Sequence, residues 1–208
     1  MDTADAFASD VTMAEFLLEK LPRLHDERLD VFELYSDATL RFSVYLKDVD
    51  RRFSVELSAE GSRAIEGEFI DFPIVTLQGE ESNWEFIRDH ARRLFEKGEK
   101  GLRKHPPPDR ISQAFLDEFE RFDGTLTVRL VLEDRDEPVE MRLILNDYEP
   151  YPGARSIDIR IPMRVAQGVM EGRVDPSDAR DGIDVSGDMS LGLDLSGLIL
   201  EHFPALEN

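Results

Sequence analysis

The sequence predicts an α+β fold: a mainly antiparallel sheet with helices packed on one face, built from a unit that occurs twice. Two hairpins carry this reading, ATLRFSVYLKDVDRRFSVELSAEG from Ala38 and GTLTVRLVLEDRDEPVEMRLILND from Gly124, 86 residues apart. Both run strand, acidic turn, strand in one register, with apolar residues two apart as a strand with one buried face requires. Around each hairpin the order of elements repeats. A short amphipathic helix precedes it, and a further strand and a second helix follow.

Residues 1–10 are small and acidic without an apolar period, the pattern of a frayed terminus. Thr12 and Glu15 form a capping box, after which Phe16, Leu17, Leu21 and Leu24 give one face of a helix that Pro22 should keep short. From Asp26 to Ser36 the pattern fits either a helical turn or a lead-in strand. Leu40, Phe42, Val44 and Leu46 then alternate in the first strand, and Phe53, Val55 and Leu57 in its return partner, giving a sheet with one wet face. A short strand is expected from Ile65 to Phe69 and a better one from Pro73 to Leu77, ended by Gly79. The next helix, with Trp84, Ile87, Ala91, Leu94 and Phe95 inward, should be capped by Ser82 and fade in EKGEKG from Glu96.

Three prolines at 106–108 cannot continue a helix and mark the best boundary in the chain. The expected organisation is a disordered terminus over 1–10, a first copy over 11–104, a linker over 105–109 and a second copy over 110–208. In the second copy Ile111, Phe115, Leu116 and Phe119 make the short helix. Leu126, Val128, Leu130 and Leu132 alternate in one strand, Val139, Met141, Leu143 and Leu145 in its partner, and Ile157, Ile159 and Ile161 in the next. Only this copy continues into GIDVSGDMSLGLDLSGLIL from Gly182. There Ile183 and Val185 share one face of a strand, Ser186, Gly187 and Asp188 make a turn that can cap a helix, and Leu191, Leu195, Leu198 and Ile199 recur at helical spacing. The first copy therefore lacks a closing strand and helix. Its open sheet edge must be covered, and the second copy is the nearest cover.

Composition narrows the function. With 208 residues, of which 41% are hydrophobic, the chain can build a real core without staples, and without cysteine it has neither disulfides nor thiolate metal sites. The N-terminus has acids where a signal peptide needs bases, and no stretch reaches the roughly 20 apolar residues of a membrane span. A soluble, cytoplasmic protein without stable membrane insertion is expected. A net charge of −20 repels phosphate backbones and anionic headgroups, which disfavours nucleic acid; the acids are spread along the whole chain and read as solvated surface, with an acidic face for a basic protein partner as the alternative. The predominance of arginine over lysine is read as coding bias and given no functional meaning.

Motifs for chemistry are missing. His25, His90, His105 and His202 form no ligand pair, and His90 is expected at the surface. No nucleophile elbow, phosphate loop or dinucleotide fingerprint occurs. The carboxylate pairs Asp134 with Asp136 and Asp178 with Asp181 arise from abundance alone, and the segment from Asp175 to Gly182 places Ser177 and Ala179 where a calcium loop needs its first oxygen ligands. No metal, no cofactor and no enzymatic activity are expected.

The tail from Pro162 to Leu200 resembles the sterol carrier protein family of non-specific lipid-transfer proteins. The likeness lies in the order helix, Gly, Asp-Pro, Gly, strand, Gly-Asp-Met and leucine-rich helix, and is weaker upstream. It implies an apolar cavity between sheet and helices and no catalytic residues. On that reading the lining comprises Leu126, Val128, Leu130, Met141, Leu143, Ile159, Met163, Ile183, Val185, Met189, Leu191 and Leu195, and the ligand is a lipid, sterol, acyl chain or other hydrophobic small molecule. Periodicity reports only which face is buried, so the same residues equally fit a filled core. The function would then be that of a non-enzymatic accessory domain meeting a basic partner through an acidic surface.

Overall fold

The computed structural model describes residues 2–69, 71–104, 111–133, 135–170 and 182–202. The expected proline linker and the spacer over 171–181 lie outside them. Eight strands form one sheet: β1 (Leu40–Leu46), β2 (Arg51–Ser58), β3 (Gly61–Glu66), β4 (Val75–Gly79), β5 (Gly124–Val131), β6 (Val139–Leu145), β7 (Ser156–Pro162) and β8 (Asp184–Gly187). Their spatial order is β3-β2-β1-β4-β6-β5-β7-β8. The sheet is mixed, not mainly antiparallel, because β1 pairs with β4 and β5 with β7 in parallel. After each hairpin the chain returns to the free edge of the hairpin's first strand and runs in that strand's direction. Alternation along a strand carries no information about this choice.

The two halves meet where β4 pairs antiparallel with β6, Val75 facing Leu145 and Leu77 facing Leu143. The free edge of the first half is thus covered by the second, and one sheet runs through both. Thr76, fully buried, ties this seam by donating from Oγ1 to the carbonyl of Asp147 at 2.7 Å.

Helices cover one face. In the first half these are α1 (Thr3–Ala6), a continuous run of α2 (Met13–Glu15), a π-helical turn (Phe16–Lys20) and α3 (Leu21–Asp26), then α4 (Leu29–Tyr35) and the long α5 (Trp84–Lys104). Pro22 does not end the helical run. The wider turn, closed by the Leu21 amide on the carbonyl of Phe16, places proline in the first turn of α3, where its missing N–H costs least. The ambiguous stretch before β1 holds α4. Residues 2–11 are not frayed: Asp2 caps α1, Ala6 and Phe7 are buried against Leu24, and Trp84 Nε1 donates to the carbonyl of Val11 at 2.7 Å. Met13, Leu17, Val44, Leu46, Phe53 and Trp84 close the main core of this half.

A 3-10 turn over Glu81–Asn83 leads into α5, and Asp48, not Ser82 as expected, caps it, its carboxylate accepting from the amides of Glu81 (2.8 Å) and Ser82 (3.1 Å). The charged run from Glu96 stays helical to Lys104. In the second half lie α6 (Gln113–Phe119), α7 (Met163–Met170) and α8 (Met189–His202).

The opposite face is not simply wet. Ser43, Ser54 and Thr76 are buried on it, Ser54 donating to the carbonyl of Gly67 in the crossing segment after β3. Elsewhere it carries a lattice of cross-strand ion pairs. Arg41 meets Glu56 at 2.6 Å, and Arg129 lies between Glu140 (3.1 Å) and Asp158. Arginine suits these places because its planar fork can bridge two carboxylates, which gives several arginines a structural role that composition did not disclose.

Candidate functional site

The register of the second half turns the alternating apolar residues into transverse rows. Met141 faces Val128 across the β5–β6 pair, Val128 faces Ile159 across β5–β7, and Ile159 faces Val185 across β7–β8. These four residues form one line over four strands, about 14 Å long at the usual strand spacing. On one side runs the row Leu143, Leu126 and Ile157, ending at Gly187, and on the other the row Val139, Leu130 and Ile161.

The helices cover these rows unequally. α8 lies across the end where β5 begins, and its Leu191 and Leu195 pack with Leu145 and Ile157 in a filled cluster that Phe119, Phe122, Leu126 and Ile159 border. α7 follows β7 without a break and touches β5 and β7 at their far ends. Between the two helices Met141, Val128 and Ile159 remain half-buried and Val185 is 44% exposed. In the first half the equivalent row is Val55, Phe42 and Val75; Val55 is fully buried, and Phe42 and Val75 are half-buried like Val128 and Ile159. The second half thus presents a strip of apolar sheet with an incomplete roof.

The anticipated lining residues divide into three groups. Leu126, Val128, Leu130, Met141, Leu143 and Ile159 share the strip, with Val185 at its open edge. Met163 at the start of α7 and Ile183 just before β8 are half-buried beside it. Leu191 and Leu195 are buried in the filled cluster, whereas Met189 is 52% exposed on the outer side of α8, away from the sheet. Leu193 and Leu200 share that outer side, so α8 is apolar on both faces.

Polar groups hold the roof. Asp188 accepts from the amide and hydroxyl of Ser190 and starts α8; the Ser190 hydroxyl, with that amide, keeps its carboxyl below the ordinary range. Arg155 donates to Asp194 at 2.6 Å, and this bond raises its already high pKa. Gly187 has φ +100°, and a Cβ there would stand 2.3 Å from the carbonyl oxygen of Ser156. The close approach of strand and turn requires glycine. At the α5–α7 crossing His90 is half-buried and not a surface residue. Its Nδ1 lies 2.8 Å from the carbonyl of Phe86 and its Nε2 3.2 Å from Gln167 Nε2, so Nδ1 carries the proton and Nε2 accepts.

Among the described residues no group of three or more metal-ligating side chains gathers, and no helix is long and apolar enough to cross a membrane. Three surface clefts, of about 570, 540 and 240 Å³, lie outside the strip. The residues that line them were not anticipated; Asn146, in the left-handed conformation at φ 55°, is the one with a sequence signal, since Asn-Asp after a strand favours a turn.

No family model matches the chain, and no curated protein matches it. Among solved structures it is similar to sterol carrier protein 2 of Yarrowia lipolytica in its apo form, at 14% identity and a TM-score of 0.25, over 44% of this chain and 86% of that one. Overlap at that level assigns nothing to this chain.

Proposed function

We propose that this chain is a non-enzymatic cytoplasmic binding or carrier protein for a lipid or other hydrophobic small molecule. The ligand lies on the row Met141, Val128, Ile159 and Val185, between α7 and α8. The supporting observation is the open edge of that row: Val185 is 44% exposed, and Met141 is half-buried where its counterpart Val55 is fully buried. Covering that row removes apolar surface from water at roughly 25 cal/mol per Å², and no directed polar contact is needed. Met141 and Met163 suit a ligand of variable shape. A filled-core accessory domain accounts for the packed cluster under α8 but leaves the row without a role.

The two halves are further read as copies of one unit. Each has a hairpin whose first strand takes a parallel strand on its other side, β1 with β2 and β4, β5 with β6 and β7. The first copy keeps β3 and the second keeps β8 and α8, so only the second carries the roofed strip.

The test is native mass spectrometry of freshly purified protein, followed by organic extraction and lipid analysis. A stoichiometric bound lipid supports the carrier and names its ligand class. A bare mass that no fatty acid or sterol shifts would overturn it. Trp84 is a poor reporter for this purpose, being buried in the first half with its indole N–H on Val11.

A further inference from the structure

At the end of the sheet where β5 begins and β6 ends, two clefts of about 240 and 570 Å³ share Glu120 and Asn146 as a common wall. Two aromatic side chains stand over them almost free, Phe72 at 65% and Tyr151 at 66% exposure. Four exposed carboxylates, Asp71, Glu120, Asp123 and Glu149, belong to the same linings. Two guanidiniums lie among them. Arg41 is engaged by Glu56 at 2.6 Å and lies 3.8 Å from Asp71, and Glu149 pairs with Arg52 at 2.8 Å, which leaves Glu120 and Asp123 with Arg121.

The walls are held before anything binds. Asn146 Nδ2 donates to the carbonyls of Phe119 (2.7 Å) and Phe122 (2.8 Å), fixing the loop after β6 to the end of α6. Tyr148 is buried; its hydroxyl accepts from the amide of Phe69 at 2.9 Å, and its carbonyl accepts from Arg52 at 2.9 Å. The segments that carry Phe72 and Tyr151 are therefore fixed to each other. A preformed trough with mixed polar and apolar walls, two exposed rings and an acidic rim matches a side chain that ends in a cation on a long carbon stem. The stem covers the rings, the cation lies over a ring face or against a carboxylate, and the net charge of −20 draws such a partner in.

We infer that this cleft is a docking site for an extended arginine- and lysine-rich segment of another protein. None of its lining residues belongs to the apolar row, so the inference stands or falls separately from ligand binding there.

The test uses the full chain and a fluorescein-labelled peptide of alternating arginine and alanine, followed by anisotropy in about 0.15 M salt, where charges are screened beyond about 8 Å. Three variants are compared: Phe72→Ala with Tyr151→Ala; Glu120→Gln with Asp123→Asn and Glu149→Gln; and, at the opposite end of the sheet, Glu133→Gln with Asp136→Asn and Glu137→Gln. All these residues are exposed, and circular dichroism checks that each variant keeps its fold. The aromatic pair and the cleft carboxylates should each weaken binding at least about tenfold, and the hairpin-turn variant less than about twofold. Equal loss from the two carboxylate triples would reduce the effect to overall charge and overturn the inference. So would unaltered binding by the aromatic pair, no binding of the peptide, or displacement by a linear polyamine as effective as by unlabelled peptide.

Discussion

Val128 and Ile159 are register partners on the parallel strands β5 and β7, and both stay half-buried in the middle of the sheet face that α7 and α8 roof from either end. A residue there should tolerate polarity better than a fully buried valine of the first half. Val128→Thr is expected to cost well under 1 kcal/mol, whereas Val55→Thr, fully buried beside Phe32 and Leu57, should cost about 1–3 kcal/mol for an unsatisfied hydroxyl. Urea denaturation of the two variants checks the ordering.

Asp48→Ala should remove the acceptor for the first amides of the 3-10 turn Glu81–Asn83 that leads into α5, at a cost of about 1 kcal/mol. Desolvation works against the charge of Asp48, but the amides of Glu81 and Ser82 outweigh it and hold its carboxyl below the usual range. With the folded pKa depressed, the stabilisation is complete above the ordinary aspartate value of about 3.9. It disappears as the pH falls through the folded value. The stability difference between wild type and Asp48→Ala should therefore shrink in acid, which denaturation at a series of pH values reads directly.

Gly187→Ala should be among the most damaging single changes. It combines a left-handed backbone with a Cβ placed 2.3 Å from the carbonyl oxygen of Ser156. Strain of this kind costs about 1–3 kcal/mol, and the expected consequence is release of β8 and α8 from β7. Hydrogen exchange should show lost protection in β7 and α8 and unchanged protection in β1 and β2.

Thr76→Val leaves the carbonyl of Asp147 without its buried donor at the seam between β4 and β6, and should cost about 1–3 kcal/mol. Since one sheet passes through the seam, loss of stability should appear in a single unfolding transition shared by Trp84 emission and far-ultraviolet dichroism.

Most strands were legible because their signal is local; β3 was not, since it runs Gly61–Glu66 where a strand was expected from Ile65 to Phe69. Leu40, Phe42, Val44 and Leu46, like Leu126, Val128 and Leu130, alternate in sequence and share a face in space. Direction was not legible: that Val44 lies beside Leu77 on a parallel strand depends on a chain return that no periodicity encodes. Caps were legible only when near. Thr12 accepts from the amide of Glu15 as its spacing promised, but the turn that leads into α5 is capped by Asp48, 33 residues before Glu81. Of the anticipated lining, the strand residues converge because register follows from alternation once the pairing is set. Met189 turns outward because the wide apolar stripe of α8 did not say which of its two faces meets the sheet. Phe72 and Tyr151 gave no signal, since isolated aromatics in loops have no period to read.

The most direct measurement is a methyl NMR titration of the full chain with a long-chain fatty acid and, separately, a sterol. The account predicts saturable shifts centred on the methyls of Val128, Met141, Ile159 and Val185, with Val44, Leu46 and Val55 unmoved. Silence from those row methyls with both ligands, or shifts spread evenly over the two halves, would contradict it.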